Sequence, residues 1–219
     1  MNSNKIQVEN FMDFNSDAII TIGTRISVDH PKVKTYIDRV IAKGDSEFIY
    51  MHPIDDVPLQ NKYTQYIKYE AGSEEGVFAL LAAYTTSNLT VKYKEYIEDL
   101  DIGNLSGESS VGEEEFELLV EKLENKKEII LIIGDDIYEH PRFKNIANLI
   151  RLIDMYSELN VILLGQEKKI NLSKDITLEE TSDINTYNGS VIYVVNSEDE
   201  NLRGSSSFAM AAKIKMVIV

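Results

Sequence analysis

The sequence predicts an α/β fold with mostly parallel sheets flanked by helices, and three observations carry that prediction. One unit occurs twice: DAIITIGTRISVDHPKVKTYIDRVI over residues 17–41 and EIILIIGDDIYEHPRFKNIANLIRLI over residues 128–153. Each copy opens with a short β-branched run ending in Gly (Ile19–Gly23, Ile129–Gly134), and continuous apolar runs of that length suit strands buried on both faces. Each copy then passes through a polar loop and a His-Pro pair into a helical pattern. Val33, Tyr36, Ile37, Val40 and Ile41 form one apolar stripe, and Phe143, Ile146, Ala147, Ile150 and Ile153 form the other. Strand, loop and helix twice over give two Rossmann-like lobes: residues 1–102, a linker at 103–112, and residues 113–219.

Taken in order, residues 1–14 are polar with scattered apolar positions and suit a short helix or arm. Gly23 lets the chain turn at the end of the first strand, and Pro31 fits a first helical turn, where no N–H is needed. Gly44 serves as the residue that ends the helix, and Glu47–Met51 is the next strand, parallel to the first through a helical crossover. His52–Pro58 makes a rigid loop, and Tyr66–Tyr69 a short strand. Ser73 caps a helix with Glu74 and Glu75 in its first turn and a stripe of Val77, Leu80, Leu81 and Tyr84. Tyr93, Tyr96, Ile97 and Leu100 stripe another helix. Gly103, Gly107 and Gly112 with three serines mark the linker, and Ser110 with Glu113 forms a capping box for a helix striped by Phe116, Leu119, Val120 and Leu123. After the second copy come strands at Asn160–Gly165 and Val191–Val195, with polar loops across Gln166–Asn188 between them. A short helix at Ser207–Ala212 and a last strand at Ile214–Val219 follow. A closing run such as Lys-Met-Val-Ile-Val belongs inside a sheet, so the second lobe is expected to continue in the natural protein.

Composition narrows the function classes. Cys is absent, which removes disulfides, thiolate nucleophiles and Cys-ligated zinc or iron–sulfur clusters from this chain and agrees with a reducing cytoplasm. No apolar run reaches the length of a membrane span, and the polar start is no signal peptide, so neither direct membrane insertion nor secretion is expected. The formal net charge is −15, and residues 95–124 hold eleven acidic side chains against Lys122 alone. That surface repels nucleic acid, which is not an expected partner. It is either a solvated face or a docking face for a basic partner subunit.

Few residues carry chemistry. His30, His52 and His140 each precede a proline, with no spacing suited to a metal, and the reading is helix caps for His30 and His140 and a loop brace for His52. No phosphate-binding Gly-rich motif and no nucleophile elbow occur. Asp135-Asp136 at a strand end suits loop and cap duty, with magnesium as the sharper alternative. Arg203–Ser207 reads as a Gly/Ser loop, or as an anion site at a helix start. The twelve tyrosines fall at core-edge spacing. No catalytic residue emerges.

The order of these pieces resembles the molybdopterin oxidoreductase superfamily. DAIITIGTRISVDHPKVKTYIDRVIAKG is similar to its strand, Gly-x-Asn, His-Pro, helix segment. FIYMHPIDDVPLQNKYTQYIKYEAGSEEGVFALLAAY is similar to the next, where a strand ends in Asp-Pro-Arg and Pro-Gly-Thr-Asp opens a helix. EIILIIGDDIYEHPRFKNIANLIRLI and VIYVVNSEDENL resemble later segments, so the likeness spans most of residues 15–219. The resemblance implies the formate dehydrogenase-like middle domains as fold. It makes Gly23, Thr24, His52 and Gly134, at the strand ends, the candidate cofactor-binding positions. The departures are specific: Gly23-Thr24-Arg25, His52-Pro53-Ile54 and Ala71-Gly72-Ser73-Glu74 stand where the family grips a guanine dinucleotide. Ile54 and Glu74 weaken that grip.

The pattern is most similar to the branch that kept the fold without molybdenum, the large peripheral-arm subunits of NADH-quinone oxidoreductase, respiratory complex I. That resemblance implies a structural region that binds no redox centre and no cofactor of its own. The parent subunit's iron–sulfur clusters would lie upstream, the other peripheral-arm subunits would be its partners, and its place would be peripheral on the cytoplasmic face of the bacterial inner membrane. Two further expectations stand beside it: the cofactor-binding region of a molybdopterin-guanine-dinucleotide enzyme, and a stand-alone α/β domain sensing a small molecule at the strand ends.

Overall fold

The computed structural model describes residues 12–165, the strand Val191–Tyr193 (β6) and the strand Met216–Ile218 (β7). The chain divides into two units, residues 1–167 and 168–219. The first unit runs β1 (Ala18–Ile22), α1 (Ile26–Asp29), α2 (Pro31–Ile41), β2 (Glu47–Met51), β3 (Gln65–Ile67), α3 (Glu74–Thr85), α4 (Val91–Glu98), α5 (Ile102–Ser109), α6 (Glu113–Leu123), β4 (Ile129–Ile133), α7 (Phe143–Tyr156) and β5 (Leu159–Leu163). In the second, β6 pairs with β7 in parallel, Val191 opposite Met216.

The five strands of the first unit form one sheet in the order β3-β2-β1-β4-β5, and every pairing is parallel. This order places the first strand at the centre and winds the chain outward in both directions. All five residues of β1 and of β4 are buried, as suits the wholly apolar β4 and a β1 in which Thr21 is the one polar residue. On one face Ile19, Phe48, Tyr50, Ile130 and Ile132 pack with Val33, Tyr36, Ile37 and Val40 of α2. On the other, Ala18, Ile20, Ile22, Leu131 and Ile133 pack with α3, α6 and α7 through Leu80, Leu81, Phe116, Leu119, Ile146 and Ile153. Each large side chain so buried contributes roughly 1.5–3 kcal/mol. The α3 helix is buried along Val77–Ala82 because it lies under α5, α6 and α7 as well as on the sheet.

The α/β class, the parallel crossover from β1 to β2 and the strand positions agree with the sequence reading. The expected division at 103–112 is different. The two copies of the repeated unit share one sheet, with β1 paired to β4 from Ala18–Ile129 to Ile22–Ile133, and the expected linker is largely α5. Asp101 starts that helix by accepting the Asn104 N–H at 3.0 Å, and Ser110 ends it in the left-handed region at φ 56. Ser110 therefore cannot also cap α6. Gly112 takes that place, and Glu115 accepts its N–H at 3.0 Å.

The polar loops of the two copies are partly helical, as α1 and as the 3₁₀ turn Asp135–Glu139. Pro31 is the first residue of α2 as expected, whereas Pro141 precedes α7, whose cap is Arg142. No residue of α4 is buried, although Ile97 packs partly on the core. The expectations for residues 1–11, for Gln166–Asn188, for Arg203–Ser207 and for Ser207–Ala212 lie outside the described residues. Among the described residues no helix is long and apolar enough to cross a membrane.

Candidate functional site

In sheets of this order, ligands bind beyond the carboxyl ends of the strands, where the connections leaving the central strands diverge. The four positions singled out in the sequence meet there. Gly23 and Thr24 follow β1, His52 follows β2 and Gly134 follows β4, and β1 lies beside both β2 and β4. Gly23 adopts φ +69, a left-handed conformation that turns the chain off the strand. Gly134 is extended, and its need is space: a Cβ there would overlap Thr24 Cβ and the Gly23 carbonyl oxygen. A Cβ on Gly23 would in turn meet the Ile137 side chain. Thr24 and Ile137, both fully buried, thus fill the junction that the strand ends create.

Backbone hydrogen bonds close the same junction. The Gly134 N–H donates to the Ile22 carbonyl at 2.9 Å, and the Asp136 N–H to the Gly23 carbonyl at 3.1 Å. Two of the amides after β1 are taken by carboxylates. Arg25 N–H donates to Asp29 Oδ2 at 3.1 Å, and Ser27 N–H donates to Asp56 Oδ2 at 2.8 Å. The Ser27 hydroxyl also bonds Asp56, which is fully buried. Backbone N–H groups in this position are what a phosphate would need. Here two aspartates occupy them, so a dinucleotide's pyrophosphate would meet negative charge and engaged donors, and the residues present do not fit that group.

Each of the three His-Pro imidazoles faces a carboxylate from another segment. His52 Nε2 lies 3.1 Å from Asp136 Oδ2, while its Nδ1 lies 2.9 Å from the Ile54 amide nitrogen and 2.8 Å from the Ile54 carbonyl oxygen. His52 also stacks on Tyr50 with centroids 5.8 Å apart, so it braces its loop as the sequence suggested. His140 Nδ1 accepts the Arg142 N–H at 3.1 Å, which leaves Nε2 to face Gly72 O at 3.2 Å and Glu74 at 3.3 Å. It braces the turn before α7, whose cap is Arg142 with no side-chain capping bond, so it is not the expected helix cap. His30 differs from the expected cap: its ring makes no capping bond to α2, and Nε2 lies 3.5 Å from Asp135 Oδ1. That last pair is close enough to attract but is not aligned as a hydrogen bond, and both atoms are buried.

Electrostatics at the edge is dominated by carboxylates. Burial raises the Asp135 carboxyl above its ordinary range, and Asp29 and Asp136 add to this against the opposing pull of His30. Burial also pushes the Tyr69 phenol well up, reinforced by Glu74 and Asp136 and opposed by a hydrogen bond with the Gly23 backbone. Among the described residues, no three His, Asp or Glu side chains converge as a metal-binding group.

The sequence reading placed Gly23, Thr24, His52 and Gly134 at one edge, and the structure brings them together there. It missed Asp29, Asp56 and Ile137, which fill that edge. The spacing of Asp29 four residues after Arg25 was the one local signal; the contact of Asp56 with Ser27 depends on the adjacency of β1 and β2. No protein-family model matches the chain, and no curated protein matches it significantly.

Proposed function

We propose that this chain is a structural α/β region of the large peripheral-arm subunit of NADH-quinone oxidoreductase, supporting electron transfer from NADH to quinone without binding a redox centre. The sequence resemblance suggests the family. The single observation that favours a scaffold over a cofactor site is the capture of the Arg25 and Ser27 amides by Asp29 and Asp56. A fold that once presented those amides to a phosphate can keep its shape when carboxylates on the same chain replace the ligand. In this reading residues 168–219, with the pair β6–β7, belong to a further lobe, and the neighbouring peripheral-arm subunits cover exposed surface at the cytoplasmic face of the membrane.

The test is isolation of the natural protein through an affinity tag from detergent-solubilised membranes. The proposal expects NADH-quinone oxidoreductase activity and the iron–sulfur subunits of the peripheral arm to co-purify stoichiometrically. Recovery as a free protein, or with molybdenum and pterin, would overturn it.

A further inference from the structure

On the face of the sheet opposite α2, α4 and α7 leave a groove of about 500 Å³ that the strand-end site does not use. Its floor is Leu149, Leu152 and Met155 of α7, and Tyr93 and Tyr96 of α4 form the facing wall. The floor residues recur at three-residue spacing and so line one ridge of α7. Tyr93 touches Tyr156 with ring centroids 5.5 Å apart, which fixes one end of the wall on the other helix. Tyr96 lies near the Glu75 end, where burial first and the Glu75 charge second raise its phenol above the ordinary value. The groove is open: Tyr93 is 37% exposed, Tyr96 48% and Met155 of the floor 52%.

Charge distinguishes this groove from the rest of an acidic chain. Two cations, Lys92 and Arg151, line it together with Asn145 and Asn148. Its one carboxylate, Glu75, is already engaged by Arg142 at 2.9 Å and Asn145 at 2.7 Å. Burial acts upward on Glu75, and those two hydrogen bonds outweigh it and draw its carboxyl below the ordinary range. The volume falls within the range of small-molecule sites, and an apolar floor with a few polar groups is their usual composition.

We propose that the α4–α7 groove binds a small amphiphilic anion: a flat apolar body seated between Tyr93, Tyr96 and the α7 ridge, with a carboxylate or sulfonate held by Lys92 and Arg151. Acids remote from the groove are screened within about 10 Å at 0.1 M salt, which leaves the lining cations Lys92 and Arg151 and the engaged Glu75 as the charges that a bound anion meets.

The test is fluorescence titration of the full chain with 8-anilinonaphthalene-1-sulfonate, a flat aromatic monoanion, beside N-phenyl-1-naphthylamine, its uncharged analogue. The proposal expects one saturable site for the anion, with binding at least about tenfold weaker for the neutral analogue. Lys92→Glu and Arg151→Glu should each weaken the anion about tenfold, and Met155→Glu should abolish its binding, with unchanged far-UV circular dichroism and melting. Leu163→Glu, in a neighbouring cavity of about 300 Å³ that shares Arg151 with the groove but not Lys92 or Met155, should leave it unaltered. Equal binding of the two probes, indifference to the charge reversals, or loss of binding on Leu163→Glu would each overturn the proposal.

Discussion

The two copies of the repeated unit use the same residues for different physical ends. In the first copy Gly23 turns the chain at φ +69, and Pro31 opens α2 directly. In the second, Gly134 is extended, and Pro141 stands before a helix that starts at Phe143. The glycine of one copy is required mainly by its backbone conformation, and that of the other entirely by the close approach of its partner loop. Likeness of sequence therefore predicts the strand and the helix of each copy, while the joint between them is set by what lies across the sheet edge. The two loops are built against each other, with Thr24 in the space that Gly134 leaves and Ile137 over Gly23.

The largest effect expected from breaking this arrangement is that of Gly134→Ala. Its Cβ would overlap Thr24 Cβ and the Gly23 carbonyl, and backbone cannot yield as a side-chain tip can. We expect a loss of about 3 kcal/mol or more, read as a fall in the urea midpoint without a change in slope. Gly23→Ala should cost less, about 2 kcal/mol, since a left-handed residue is strained by about 1–2 kcal/mol and Ile137 can partly move aside. Gly44→Ala separates the two contributions: at φ +94 with nothing within 4 Å, it should show the backbone cost alone, about 1 kcal/mol. If Gly134→Ala proved milder than Gly44→Ala, the loops would not be packed as described.

How much of this was legible in the sequence follows from the range of the interactions. The buried strands Ile129–Ile133 and Ala18–Ile22 announce themselves by runs rich in β-branched residues, and α2 and α7 by their stripes, because those signals are local. The sharing of one sheet by both copies is not local. Nothing in Gly103, Gly107 and the serines distinguishes a linker from α5, whose glycines fit a short helix held by the Asp101 cap and by Leu105 packed on the core. The candidate positions Gly23, Thr24, His52 and Gly134 were legible as strand ends. Their engagement by Asp29, Asp56 and Ile137 was not, because it depends on which strands are neighbours.

A smaller effect sharpens the contrast between the carboxylates of the two ends of the sheet. The raised pKa of Asp135 means that the folded chain binds its proton more tightly than the unfolded chain does. Ionised Asp135 therefore lowers stability above its folded pKa, and this cost disappears below the ordinary value of 3.8. Asp135→Asn should raise stability at pH 7 by a few tenths of a kcal/mol, given its partial exposure, and the gain should vanish on acidification. At the opposite end of the sheet, burial raises the Glu47 carboxyl, but hydrogen bonds from Thr64 and Lys122 outweigh it and leave the pKa lowered. Its contribution is present above 4.5 and is lost as the pH falls through the depressed value. Thermal melts of Asp135→Asn and Glu47→Gln between pH 3 and 7 should thus change in opposite directions. A parallel response would contradict the assignment.

The central claim is that the strand-end junction of β1 and β4 is filled by the chain itself. The most direct measurement is denaturation of the purified protein followed by chromatography of whatever guanine nucleotide it releases. Less than a trace per chain is the expected result. One guanine nucleotide per chain would mean that Asp29 and Asp56 give way to a phosphate, which contradicts a junction closed by its own side chains.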